Sequence, residues 1–223
     1  GAYEAATQDR PGASVRLSDL PRNVSRNKEG DVFVSNIPMV DQGPKGYCVP
    51  ATFERAMRYL GVPADMYLLA VAGGTQPGGG TNTTRLFQEV RSIVYRKGRR
   101  PNDLSLRPLR LRDVQRSIDK GVPIMWQMCS LAGYNQAANT RTQQRSQVTN
   151  WKAWAEHVAK EAKQNAKTLQ QRANFHVCMI IGYNEATNEL AVSDSWGRRF
   201  ELRWIHLDEA DAVTLGNGFV INL

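Results

Sequence analysis

No stretch of eighteen or more apolar residues occurs in the sequence, so no segment reads as a membrane-spanning helix. Residues 1–10 lack the apolar core of a secretory signal, and Gly1 stands where an initiator Met would. That pattern is expected of a chain already trimmed of its leader. There is no Cys-x-x-Cys and no His-x-x-x-His pair, the spacings a structural zinc site favours. His176 and Cys178, two apart, would share one strand face, but no metal and no other cofactor is expected. The glycine-rich run Gly73–Gly80 is not closed by Gly-Lys-Ser/Thr, which excludes a phosphate loop and leaves a flexible loop, one wall of a groove. Arg96, Lys97, Arg99 and Arg100 carry part of the net charge of +8, yet no aromatic-rich binding motif accompanies them. They read as a solvated loop, and no nucleic-acid partner is expected.

Cysteine is scarce as well. Cys48, Cys129 and Cys178 are odd in number and far apart, which argues against a disulfide framework and leaves at least one thiol free or paired outside the chain. What the 223 residues do hold is 41% apolar content, enough to bury a core.

There is no internal repeat. Residues 1–30 are polar, with Pro11 and Pro21, and read as an extended N-terminal arm or leader remnant. Residues 31–223 read as one domain, helical to about residue 172 and β-rich from about 173. Val49, Phe53, Met57 and Leu60 recur at helical spacing, so a helix is predicted from Cys48 to Leu60, ended by Gly61 and Pro63. Further helices are predicted over 66–71, from Thr81 or Asn82 to Tyr95, over 111–120 and across 146–172. Strands are predicted over 122–128, 176–183, 190–194, 199–204 and 219–222. Helices first and strands later point to an α+β fold and not to βαβ units.

A thiol attacks as the thiolate, so a working cysteine needs something to lower its pKa. Cys48 opens the predicted helix, where unpaired N–H groups favour an anion. Gly46, just upstream, lets backbone approach a substrate without a Cβ in the way. Gln42 lies six residues before Cys48, and the two glycines between them permit a turn that sets its amide beside the Cys48 N–H, as an oxyanion site would need.

Three histidines are available as the base. His157 stands among lysines on a helix and is expected to be exposed, and His206 is placed to end a strand. His176 begins the apolar run Val177–Ile181, at the mouth of a core strand, and is the preferred base. Asp194, at the end of another strand, is a carboxylate suited to fix the ring tautomer, and Trp196 is placed to cover their bond. Asn in place of Asp194 is expected to serve too, since an amide oxygen also accepts from the ring.

Three segments taken together resemble the papain-like cysteine peptidases. Gln42-Gly43-x-x-Gly46-x-Cys48 is similar to that family's oxyanion and nucleophile segment. His176-Val-Cys-Met-Ile-Ile-Gly182-Tyr183 is similar to its histidine strand, and Asp194-Ser195-Trp196-Gly197 to its Asn-Ser-Trp-Gly motif. Val49 after the cysteine and Asp at 194 depart from the papain group and look more like the double-glycine leader peptidases of bacterial exporters. Pro38-x-x-x-Gln42 and the 111–123 stretch resemble that branch too.

The resemblance implies a papain-like α+β fold, in which an N-terminal helical part carrying the Cys helix packs on a C-terminal antiparallel sheet carrying His and Asp. It implies a thiol peptidase with catalytic Cys48, His176, Asp194 and Gln42, substrate contacts at Gly46, Tyr47 and Trp196, and a peptide or protein substrate. A secreted, periplasmic or envelope location goes with it. The same triad also serves transglutaminase-like acyl transfer, and the scaffold can act as a non-catalytic peptide-binding module; both stand as alternatives.

Overall fold

The computed structural model describes residues 15–43, 46–74, 83–96 and 100–222. The fold is mixed α+β, with helices from the N-terminal part packed on a curled antiparallel sheet. Helix α1 spans Cys48–Tyr59, α2 Met66–Ala72, α3 Thr83–Arg96 and α4 Leu111–Ile118. The strands are β1 Val24–Arg26, β2 Asp31–Val34, β3 Arg100–Ser105, β4 Ile124–Cys129, β5 Phe175–Asn184, β6 Glu189–Ser193, β7 Arg203–His206 and β8 Thr214–Asn222. Helices α5 Ala132–Arg145 and α6 Trp151–Ala166 lie between β4 and β5, and α7 Leu207–Val213 lies between β7 and β8.

β5 is the centre of the sheet. β4 pairs with residues 175–180 and β2 with 182–184 along one edge, while β6 pairs with 179–184 along the other. Gly182 is required at this crowded point, because a Cβ there would meet Phe33 Cβ and the Val32 carbonyl, each at 2.5 Å. The order continues from β4 to β8 and β3, and from β6 to β7. Every pair is antiparallel.

The apolar stripe expected of the first helix is the buried face of α1: Val49, Phe53 and Met57 join Val177, Met179 and Ile180 of β5 in one core. Thr52 Oγ1 lies 2.6 Å from the Cys48 carbonyl and 3.2 Å from that of Val177, so the helix sits on the strand in a fixed register. The cysteine and histidine segments are thereby held against each other.

The structure differs from the sequence expectations in several places. Within the stretch expected as an arm, Leu17–Asn23 form a 3-10 turn with Leu20 fully buried, and Val24–Arg26 pair with β2. The Leu20 backbone carbonyl occupies the space that a Cβ on Gly121 would need. β4 is the strand expected over 122–128, and it joins β2 and β3, also from the mainly helical part, in the same sheet as the C-terminal strands.

The helix expected across 146–172 starts at Trp151, where Asn150 caps it by accepting from Ala153 N–H, and it ends at Ala166. The strand expected over 199–204 is Arg203–His206, preceded by a 3-10 turn at Arg198–Phe200. Most of the glycine-rich loop at 75–80, the caps at Thr81 and Asn82, and residues 97–99 of the basic cluster lie outside the described residues.

Candidate active site

Cys48 is the first residue of α1. Tyr47 precedes it as N-cap but gives no side-chain capping bond, so first-turn N–H groups remain available. The sulfur takes up that of Val49 and, from the neighbouring strand, that of Val177. Burial pushes the Cys48 thiol up, but the hydrogen bond and charge of His176, with those two N–H groups, outweigh it and hold its pKa below that of a free thiol.

His176 lies one residue into β5 and is buried. Its Nε2 meets Asp194 Oδ1 at 2.9 Å. Nδ1 is thus the ring nitrogen left for Cys48, whose thiol shares the other hydrogen bond to the ring. Burial alone would lower the His176 pKa; the bonds to Asp194 and Cys48 instead lift it to about 9. Asp194 follows β6 directly, and its carboxyl is 2% exposed. Burial raises its pKa, and the contacts with His176 and Arg203 bring it below the usual carboxylate range. Sulfur, imidazole and carboxylate therefore form one hydrogen-bonded line, with the charges arranged for a thiolate–imidazolium pair.

Trp196 stacks on the His176 ring, with centroids 4.8 Å apart, and Phe200 meets the indole edge-on at 5.4 Å. Gln42 is brought to the same place through its backbone, whose N–H donates to the Ser195 carbonyl at 2.7 Å. Its Oε1 is buried without a hydrogen-bond partner among the described residues. Gly43, at φ +71°, donates its N–H to Asp41 Oδ1 and turns the chain. Gly46 is exposed, and Tyr47 sits edge-on to Tyr67 at 5.9 Å on the wall made with α2.

The other histidines stand apart from this line. His157 is half exposed beside Glu161, and His206 caps α7 by accepting from Asp208 N–H at 3.1 Å.

Two buried arginines belong to the site and were absent from the sequence reading. Arg203 donates from Nη2 to Asp194 Oδ2 at 2.8 Å and is itself held by Asn139 at 2.9 Å and Asn135 at 3.1 Å, both on α5. Arg55 donates to the Pro38 carbonyl at 2.8 Å and to Ser193 Oγ at 2.6 Å, with Ser195 Oγ at 3.4 Å. It ties the cysteine helix to both loops of the site. Burial lowers the Arg55 pKa to about 10, so it stays charged at neutral pH. The signal for Arg55 was its place two helical turns after Cys48 on one face; Arg203 carried no comparable sequence signal.

His176, Cys178 and Asp194 offer ligand atoms within 4.8 Å of one another. A cation does not fit there. Both oxygens of Asp194 are already engaged, the Arg203 guanidinium adjoins them, and burial holds the Cys178 thiol well above its ordinary pKa.

Residues 34–212 match the Peptidase C39 like family. Among solved structures the chain is similar to a C39-like peptidase from Bacillus anthracis, with a TM-score of 0.56 at 14% identity over 86% of this chain and 98% of that one. It is similar also to the peptidase domain of Streptococcus ComA, a bifunctional ABC transporter of a quorum-sensing pathway, with a TM-score of 0.50 at 10% identity over 84% and 98% of the two chains. A double-glycine motif protease from an AMS/PCAT transporter, in complex with the leader peptide, aligns at a TM-score of 0.48 and 12% identity over 84% and 91%. At these identities the likeness is one of fold. No curated protein sequence matches the chain.

Proposed function

The chain belongs to the Peptidase C39 like family, and on that premise we propose that it is a thiol peptidase whose nucleophile is Cys48. One observation carries the reading: His176 gives Nε2 to Asp194 at 2.9 Å and keeps its other nitrogen for a thiol whose pKa is depressed.

In this mechanism the Cys48 thiolate adds to the peptide carbonyl carbon. The oxyanion forms where the Cys48 backbone N–H and the Gln42 amide can donate to it. The His176 imidazolium passes its proton to the leaving amine as the C–N bond breaks, leaving an acyl-enzyme and a neutral ring. That ring then takes a proton from water as the water attacks the thioester, and the sulfur departs as the thiolate, which restores the ion pair with the imidazolium. Asp194 keeps the ring oriented and stabilises its positive form throughout. Tyr47, Gly46 and Trp196 border the sulfur and the ring, where the substrate chain would pass.

The test is hydrolysis of a quenched-fluorescence peptide library by the purified protein and by Cys48→Ala. Cleavage is expected from the parent alone. Equal cleavage by both proteins would remove Cys48 from the role.

A further inference from the structure

Asp194 accepts from two sides. Oδ1 takes His176 Nε2–H at 2.9 Å and Oδ2 takes Arg203 Nη2–H at 2.8 Å. Arg203 has no freedom to turn away. It is 2% exposed, fixed by Asn139 and Asn135 one helical turn apart on α5, and stacked over Trp196 and Phe200 at 5.6 and 5.2 Å. Helix α5 is locked to β7 at the next turn as well, where Trp204 N–H donates to Thr142 Oγ1 at 2.9 Å. Among the described residues, Asp194 is the one carboxylate bonded to this guanidinium.

We propose that Arg203 is a positioning residue that fixes position 194 as a carboxylate: with donors on both sides, an Asn there is one acceptor short, and only Asp serves. The inference rests on the thiol-peptidase reading and adds a residue to it. An amide has one acceptor oxygen and one NH2 donor. If the amide of an Asp194→Asn variant points its oxygen at His176, its NH2 faces the buried guanidinium, donor against donor. If the oxygen turns to Arg203, the charge-assisted bond is kept and the NH2 faces His176 Nε2. That nitrogen must then be unprotonated, the ring takes the tautomer with hydrogen on Nδ1, and the imidazolium that pairs with the Cys48 thiolate is lost. Without Arg203, the first orientation carries no such penalty. The Asn expected from sequence to serve at 194 therefore fails because of a residue on another strand.

The charged and titratable groups around Asp194 are His176 and Cys178 on β5, Arg203 on β7, Arg55 on α1 and Tyr134 on α5. Of these, His176 and Arg203 hydrogen-bond its carboxylate.

The experiment is a double-mutant cycle read by the pH dependence of Cys48 alkylation with iodoacetamide, which needs no peptide substrate. Asp194→Asn should slow alkylation at neutral pH by about tenfold and move its pH midpoint toward that of a free thiol. Adding Arg203→Met should restore the rate several-fold, a coupling of the size seen between residues in direct contact. Losses that merely add, or an Asp194→Asn protein as reactive as the parent, overturn the assignment. Should Arg203→Met not fold, Arg203→Lys replaces it: the ammonium keeps a donor, so Asp194→Asn must remain about tenfold slow in that background. A reactive Asp194→Asn/Arg203→Lys protein would overturn the proposal. The parent curve separates the two levels. A parent thiol that titrates like free cysteine removes the peptidase reading itself, whereas additive losses on a normally shifted parent curve remove Arg203 alone.

Discussion

The indole of Trp196 lies against the imidazole of His176, ring centroids 4.8 Å apart and planes 21° from parallel. A stacked face excludes water from the His176–Asp194 bond and holds the ring in the plane that both of its hydrogen bonds require. Trp196→Ala should therefore slow turnover by about tenfold, equivalent to roughly 1.4 kcal/mol at the transition state, with the fold retained. Steady-state kinetics beside a circular-dichroism spectrum checks this; an unchanged kcat/KM would assign Trp196 to packing only.

The pH profile follows from the ring and the thiol. His176 must be protonated to serve the leaving amine, and its pKa is lifted to about 9, so hydrolysis should fall as pH rises through that value. The acid limb belongs to Cys48, whose pKa lies below that of a free thiol, so activity should fall again once pH drops below the range in which the thiolate persists. The same ring bears on stability with a fixed sign: a raised folded pKa stabilises fully below the ordinary imidazole range and loses that contribution as pH climbs through about 9. Hydrolysis rates and melting temperatures across pH test both statements. Activity still rising above about pH 9 would contradict the assignment.

Labelling should single out one thiol. Cys129 and Cys178 are each 1% exposed and packed in the core, and burial raises the Cys178 pKa well above its ordinary value. Iodoacetamide on the native protein should add one adduct, at Cys48, by peptide mapping. Equal labelling at Cys129 or Cys178 would mean that the core opens readily.

Arg55 is a tie more than a reagent. Its guanidinium joins α1 to the Pro38 carbonyl and to Ser193 and Ser195, which flank Asp194. Arg55→Met leaves those buried acceptors without their donor and should cost about 3 kcal/mol in urea unfolding. A stability within experimental error of the parent would mean that the loops hold each other unaided.

The parts of this architecture that are legible in sequence are those where local periodicity and tertiary role agree. The α1 stripe of Val49, Phe53 and Met57 shows the helix, and the run Val177–Ile181 shows the central strand. Cys48 and His176, at the starts of these elements, and Asp194, just after β6, are the ones that meet.

What escaped notice did so for a physical reason. Helix α5 buries few apolar residues. Its inward face includes Arg141 and Arg145, the first paired with Glu209 and the second with Asp31 and laid over the Trp151 and Trp204 rings, so no apolar stripe announces it. Arg203 was hidden in the same way: in sequence it is one more charged residue, and its partners Asp194, Asn135 and Asn139 come from other elements. The strand expected at 199–204 begins later because the chain first turns at Arg198–Phe200, which brings the Phe200 carbonyl back to Asp194 N–H at 2.9 Å.

The most direct measurement is the rate of Cys48 alkylation across pH in the parent and in His176→Ala. If the imidazole stabilises the thiolate, the parent midpoint lies below that of a free thiol and the variant midpoint moves up toward or beyond it. Coincident curves for the two proteins would contradict the ion pair and the function built on it.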